Sequence, residues 1–220
     1  MTLKGILPPV PTPFILGELA LQKLIDNLIK WNTFDLAGYL VLGSNGEAVM
    51  LNEKEKLQVL EIARGSIPKT KIMMAGANAD STKENIVFIN KAAEIGADCA
   101  LVITPFYYKE SMTQEILYRH FSRVADDAKI PILLYNVPQF TGVNLAAETV
   151  ARLSEHPNII GLKDSSGNMG LFADHVALVS EDFACFVGNA PTLLTALTLG
   201  AAGGILAVAN VLPEECIHIT

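Results

Sequence analysis

The residues of this chain best placed for covalent chemistry are a lysine, a tyrosine and a Ser-Asn pair. Lys163 is the only charge at the end of the apolar run Asn158-Ile159-Ile160-Gly161-Leu162, and the polar group Asp164-Ser165-Ser166-Gly167-Asn168 follows at once. A short apolar run between turn residues reads as a buried strand, so Lys163 falls where the strand leaves the core. Burying an ammonium group is costly unless it is paired. A depressed pKa relieves that cost and leaves a neutral amine able to attack a carbonyl. The same lysine can instead escape to solvent or pair with Asp164. Tyr135 ends another apolar stretch and leads into Asn136-Val137-Pro138; its hydroxyl either caps the core or carries protons. Gly43-Ser44-Asn45-Gly46-Glu47 reads as an Asn-Gly turn. The other reading, less favoured for the loop in isolation, is one whose backbone and Ser44 and Asn45 side chains hold a carboxylate without a cation. A tyrosine and a lysine on adjacent strand ends suit Schiff-base chemistry. The amine attacks a ketone, the phenol shuttles protons, and the protonated imine is the electron sink.

The elements that must position these groups alternate along the chain. Short apolar strands are predicted at 5–10, 38–42, 71–75, 99–103, 131–135, 159–163, 184–187 and 204–208. Helical patterns lie between them, the first marked by Leu21, Leu24, Ile25, Leu28 and Ile29. Ser81 with Glu84 and Ser111 with Gln114 read as capping boxes, Asn52 and Asn144 as N-caps, and Gly96 and Gly200 as helix stops. Strict strand–helix alternation with eight repeats predicts an α/β fold, a closed (β/α)8 barrel, with an open doubly wound sheet as the structural competitor. In such a barrel chemistry gathers at the C-terminal strand ends, where the polar residues of this sequence collect. Thr104-Pro105-Phe106-Tyr107-Tyr108, after the fourth strand, reads on its own as aromatic packing.

Composition narrows the classes. A chain of 220 residues, half of them hydrophobic, is within the range of one domain and can bury a large core. A net charge of −7, with no basic run, argues against nucleic acid or an anionic membrane as partner. Cys99, Cys185 and Cys216 show no paired spacing, which fits a reducing cytosol. His120, His156, His175 and His218 lack metal-ligand spacing and read as surface or capping residues, so no metal site is expected. Residues 183–211 carry no charge and mimic a membrane span. Gly188, Pro191, Gly200, Gly203 and Gly204 divide them into strand, helix and strand instead. The N-terminus lacks the pattern of a secretory leader, since Pro8, Pro9, Pro11 and Pro13 interrupt it, and a cytoplasmic protein is expected.

Three motifs in this order, Gly43-Ser44-Asn45-Gly46-Glu47, Tyr135-Asn136-Val137-Pro138 and Gly161-Leu162-Lys163-Asp164-Ser165, resemble the signatures of the dihydrodipicolinate synthase / N-acetylneuraminate lyase family. That resemblance runs from Gly5 to the end of the chain and implies a (β/α)8 class I aldolase that forms a lysine imine with pyruvate. It implies no cofactor beyond that covalent imine, a small 2-oxo acid as substrate, and a homodimer or homotetramer. By position, Lys163 becomes the Schiff-base lysine, Tyr135 the general acid/base and Ser44 its hydroxyl relay. Asn45 helps bind the pyruvyl carboxylate, the backbone carbonyl of Ile205 lines the pocket, and Ser165 assists near the imine or the acceptor aldehyde. Tyr107 matches a tyrosine that enters the neighbouring subunit's site in the dimers of many members. Glu47 reads as a structural partner of its loop.

Two departures from the family pattern bear on the expectation. Dihydrodipicolinate synthases usually carry an arginine where this chain has Phe140, and they usually read Gly-Thr-Thr-Gly-Glu in the first loop. An apolar ring in place of a bidentate cation weakens recognition of the carboxylate of aspartate semialdehyde. With the Gly-Ser-Asn-Gly-Glu loop and the segment from His156 to Ser165, this resembles 4-hydroxy-2-oxoglutarate aldolases more, so cleavage of that compound to pyruvate and glyoxylate is the expected reaction. The alternatives are dihydrodipicolinate synthesis, another 2-keto-3-deoxy sugar-acid aldolase, or a non-catalytic keto-acid-binding barrel. A nucleotide-binding open α/β domain is disfavoured, because no strand is followed by a glycine-rich phosphate motif. The second departure is length. Residues 1–220 are expected to form one barrel domain truncated after strand eight, with the family's further C-terminal helices missing.

Overall fold

The computed structural model of the protein describes residues 3–220; Met1 and Thr2, the start of the segment read for a leader, lie outside the described residues. Its frame is eight parallel strands: β1 Gly5–Ile6, β2 Gly38–Val41, β3 Ile72–Ala77, β4 Cys99–Ile103, β5 Ile132–Asn136, β6 Ile159–Asp164, β7 Ala184–Val187 and β8 Gly203–Gly204. Their hydrogen-bonded order is β1-β8-β7-β6-β5-β4-β3-β2. A parallel bridge between Pro9 and Leu40 brings the first strand back to the second, so the sheet closes into the expected (β/α)8 barrel. The crossovers are α1 Leu21–Trp31, α2 Glu53–Ser66, α3 Thr82–Ile95, α4 Gln114–Asp127, the single turn α5 Pro138–Thr141 with α6 Ala147–Ser154, α7 Met169–Leu178 and α8 Leu193–Thr198, and α9 Pro213–Ile219 follows the last strand. A hairpin pairing Phe14–Ile15 with Glu18–Leu19 precedes α1.

The period-two alternation of the strands builds two apolar layers. Leu7, Leu40, Met74, Leu101, Leu133 and Phe186 fill the barrel. Their chain neighbours, among them Tyr39, Val41, Met73, Val102, Leu134 and Val187, face the helices. Each such aliphatic side chain, fully buried, contributes on the order of 1.5–3 kcal/mol. Two strands are shorter than the sequence predicts by more than one residue. Pro8 and Pro9 have no N–H, so the regular ladder of β1 stops after Ile6. The chain regains the sheet through Leu40 N–H donating to Pro8 O (3.0 Å) and Val10 N–H donating to Leu40 O (2.9 Å). β8 stops after Gly204 and passes into a 3-10 turn at Ala207–Asn210. Gly203 there is irreplaceable in its own way, since a Cβ would lie 2.0 Å from Gly5 O.

The uncharged stretch 183–211 folds as strand, helix and strand. Among the described residues no helix is long and apolar enough to cross a membrane. Asn52 caps α2 in a reciprocal box with Glu55, Ser81 accepts from Glu84 N–H at the start of α3, and Gly96 ends α3 at φ 105°. Two expected caps are wrong. Thr113, not Ser111, caps α4 by accepting from Ile116 N–H, because Lys109–Ser111 is already wound into its own 3-10 turn. Asn144 starts no helix; α6 begins after Ala146, and the Asn144 amide is used by Asn136. His120 and His175 are buried rather than superficial, 6% and 0% exposed. His120 Nδ1 bonds Thr82 Oγ1 at 2.8 Å, and His175 Nε2 lies 3.3 Å from Leu145 O.

Candidate active site

The exit of β2 is bent so that its loop turns over the barrel mouth. Leu42 sits at φ 63°, a left-handed conformation costing a leucine on the order of 1–2 kcal/mol. Its carbonyl is held by Asn78 Nδ2 at 2.9 Å and lies over Gly76, where a Cβ would approach it to 2.1 Å. The next residues form the single 3-10 turn Ser44–Gly46, closed by Gly46 N–H to Gly43 O and anchored by Thr12 Oγ1 donating to Gly46 O (2.7 Å). The first amides of such a turn have no acceptor within it. The Ser44 and Asn45 N–H groups thus have no acceptor within the turn, and both residues line the cavity at the barrel mouth.

Across the barrel, Tyr135 and Lys163 are register partners on β5 and β6. Both occupy inward positions, following Leu133 and Gly161 by two residues, at the level where the interior packing ends. Lys163 is 4% exposed, and its Nζ lies 4.4 Å from the centroid of the Tyr135 ring. Burial pushes the Lys163 amine below its usual range, against the opposing pull of Tyr135. Burial acting alone would raise the Tyr135 phenol. The adjacent Lys163 charge and hydrogen bonds with the Ser44, Ser165 and Lys163 side chains outweigh it and leave the phenol below its ordinary value. An amine that loses its proton readily beside a phenol that gives and takes one is the pairing imine formation requires. Lys163 does not pair with Asp164, because alternation turns that carboxylate to the outer face of β6, where it accepts from Ser166 and Asn136.

Ser44, Asn45, Ser165 and Ile205 join Tyr135 and Lys163 around one cavity of about 180 Å³. Its size suits a molecule as small as pyruvate. Tyr107 is elsewhere: 75% exposed, edge-on to Tyr108 at 4.9 Å, on a loop pinned by Asp80 Oδ1, which accepts from Phe106 N–H (2.5 Å) and Tyr107 N–H (3.1 Å). A second cavity of about 470 Å³ adjoins the first through Ser44, Gln139 and Phe140, and no charged side chain lines it. Phe140 is 68% exposed on α5, at the mouth of both.

Other parts of the site are absent from the sequence-based set. Gly188, one residue past β7, faces Ser165 so closely that a Cβ would lie 1.9 Å from Ser165 Oγ and 3.1 Å from Lys163 Cε. Strand parity carries that signal, since Gly188 follows the inward Phe186 by two. Gln139 Nε2 donates to Ser165 O at 2.9 Å, fastening α5 to the loop after β6. Among the described residues no group of three or more His, Cys, Asp or Glu could hold a metal ion.

The chain matches the dihydrodipicolinate synthetase family over residues 2–220. It is 39% identical over 217 residues to a 4-hydroxy-tetrahydrodipicolinate synthase of Thermodesulfovibrio yellowstonii, covering 98% of this chain and 74% of that one. A protein of the same name from a Hydrogenobaculum species is 37% identical, with 99% and 74% covered. Among solved structures, the 4-hydroxy-tetrahydrodipicolinate synthase of Methylacidiphilum fumariolicum superposes with a TM-score of 0.93 at 30% identity, over 97% of this chain and 71% of that one. The dihydrodipicolinate synthase of Acinetobacter baumannii, solved in complex with pyruvate, gives 0.94 at 33% identity, over 99% and 74%. The barrel, the three motifs at its strand ends and the match over residues 2–220 agree, and the chain belongs to the dihydrodipicolinate synthetase family of pyruvate aldolases.

Proposed function

We propose that this protein joins pyruvate to an aldehyde through an imine on Lys163, in the manner of a 4-hydroxy-tetrahydrodipicolinate synthase, with aspartate semialdehyde as the aldehyde. The observation that carries the reading is the buried Lys163 amine 4.4 Å from the Tyr135 ring in a cavity shared with Ser44 and Asn45. The amine adds to the pyruvate ketone, and water leaves to give the imine. Tyr135, relayed through Ser44, removes a proton from the methyl carbon, and the enamine carbon attacks the aldehyde. The new alkoxide takes up the proton, and water or the acceptor's own amine displaces Lys163. The Ser44 and Asn45 amides hold the pyruvyl carboxylate. The name shared by the relatives supports condensation over the cleavage of 4-hydroxy-2-oxoglutarate that the sequence favoured.

That cleavage is the second reading, and Phe140 favours it, since the mouth of the site offers an apolar ring where an arginine would grip aspartate semialdehyde. Tyr107, exposed on its pinned loop, is assigned to the site of a neighbouring subunit in a homodimer or homotetramer, and the protein to the cytoplasm. A solved relative is described as a monomeric dihydrodipicolinate synthase variant, so sedimentation is the measure of that assignment. Incubation with pyruvate and borohydride, followed by digestion, is expected to yield a reduced pyruvyl adduct on the Lys163 peptide; a folded sample without it refutes the imine. Pyruvate with aspartate semialdehyde, compared with 4-hydroxy-2-oxoglutarate alone, separates the two readings.

A further inference from the structure

Behind the two reacting side chains stands a second pair. Asn136 follows Tyr135 and Asp164 follows Lys163, and they too are register partners. Alternation turns both outward into the apolar layer between strands and helices, where they are 0% and 2% exposed. A carboxylate there is costly unless its oxygens are occupied. Asp164 Oδ1 accepts from Ser166 N–H at 2.7 Å and from Asn136 Nδ2 at 3.3 Å, and Oδ2 accepts from Ser166 Oγ at 3.1 Å. His175 Nδ1, 3.7 Å from Oδ2, is too far for a hydrogen bond. The orientation of the carboxylate is thus set by the loop and by Asn136. Asn136 is fixed in turn by Leu145 N–H to its Oδ1 (3.0 Å) and by its own donation to Asn144 Oδ1 (2.9 Å). Between Asp164 and Ser166 lies Ser165, whose N–H donates to Asn136 O at 2.8 Å and which lines the same cavity as Tyr135 and Lys163.

We propose that Asp164 is a positioning residue: by folding Ser166 back over itself and bonding Asn136, it holds the Ser165 hydroxyl on Tyr135 and keeps the ends of β5 and β6 level. Asp164 touches neither substrate nor the reacting atoms. The inference rests on the reading that Lys163 and Tyr135 carry the imine chemistry. The titratable groups facing the relay are Lys163 from β6 and Tyr135 itself, with Asp164 and His175 of α7 behind the strands.

The test compares Asp164→Ala and Asp164→Asn with the parent in steady-state kinetics, pH–rate profiles and the rate of borohydride trapping with pyruvate. Asp164→Ala is expected to lower kcat about tenfold, the effect of losing one hydrogen bond to a charged group, with the KM for pyruvate within about twofold. Freed from Ser165, the Tyr135 phenol rises, so the limb of the profile that needs it deprotonated moves to higher pH. Asp164→Asn keeps an oxygen for Ser166 N–H and is expected to restore kcat to within about threefold of the parent. A lower Tm with unchanged kcat and an unmoved limb overturns the proposal. If Asp164→Ala does not fold, Ser166→Ala, at a half-buried position, removes one of the bonds, and its limb must move the same way; no movement overturns the idea equally. Absence of the adduct in the parent is a different outcome, since it removes the imine reading on which this inference stands.

Discussion

Replacing Gly188 by alanine tests the packing of the site with a single methyl group. Gly188 is outside the left-handed region, so alanine meets no backbone penalty there. The backbone cannot retreat, because Gly188 N–H donates to Asp164 O at 2.7 Å. The new Cβ would lie 1.9 Å from Ser165 Oγ, 3.0 Å from Ser165 Cβ and 3.1 Å from Lys163 Cε. The first distance is impossible and the other two are tight, so the cheapest relief is rotation of the Ser165 hydroxyl away from Tyr135. Overpacking costs about 1–3 kcal/mol in stability at a site that cannot yield. The lost hydrogen bond to a charged group, about 1.5–3 kcal/mol, lowers kcat/KM roughly 10- to 100-fold. The assay is a double-mutant cycle with Ser165→Ala, read by steady-state kinetics and by the rate of borohydride trapping. Once the hydroxyl is gone the worst clash is gone, and Gly188→Ala is expected to cost no more than about threefold further. Activity of Gly188→Ala within twofold of the parent refutes the reasoning, as do two substitutions whose effects simply multiply.

Burial pushes the His120 imidazole down to about 4 from an ordinary 6.5. The unfolded chain therefore takes up a proton between those values while the folded one does not, and stability complete above pH 6.5 is lost as the pH falls toward 4, by about 3 kcal/mol. Urea midpoints at pH 7 and 4.5 should show that loss in the parent and a smaller one in His120→Gln; equal losses would remove His120 from the account. Phe140→Arg returns a cation to the mouth of the site, and because that position is exposed the gain is modest, roughly a 3- to 10-fold lower KM for aspartate semialdehyde with the KM for pyruvate unchanged. An unchanged aldehyde KM would show that the acceptor's carboxylate binds away from α5.

The strand ends were legible because the chemistry-bearing residues interrupt apolar runs: Lys163 and Tyr135 each close a strand, and the Ser44-Asn45 turn follows another. Those residues do meet in one cavity. What escaped is set by neighbours distant in sequence. Nothing local marks His175 as buried, since its setting is made by Leu145 and Asp164 from other segments. Gly188 looks like a strand stop until Ser165 is seen opposite it. The misplaced caps have a local cause, because Ser111 and Asn144 are good capping residues already engaged by a 3-10 turn and by Asn136. The prolines were visible, and their effect on strand length follows from the missing N–H, which apolar content alone does not weigh.

Those prolines give the barrel one loosely stitched joint. β1 and β2 pair at one residue bridge, tied by the N–H groups of Ala37, Leu40 and Val10 donating to Ile6 O, Pro8 O and Leu40 O, whereas β5 and β6 align over five residue pairs. In a ring of eight, these two junctions are diametrically opposed. Native-state opening concentrates where hydrogen bonds are fewest. The cylinder therefore has a compliant side, which carries the Ser44–Gly46 turn that follows β2, and a stiff side, which carries Tyr135 and Lys163. Substrate entry can draw on fluctuation at the first while the alignment of amine and phenol is kept by the second.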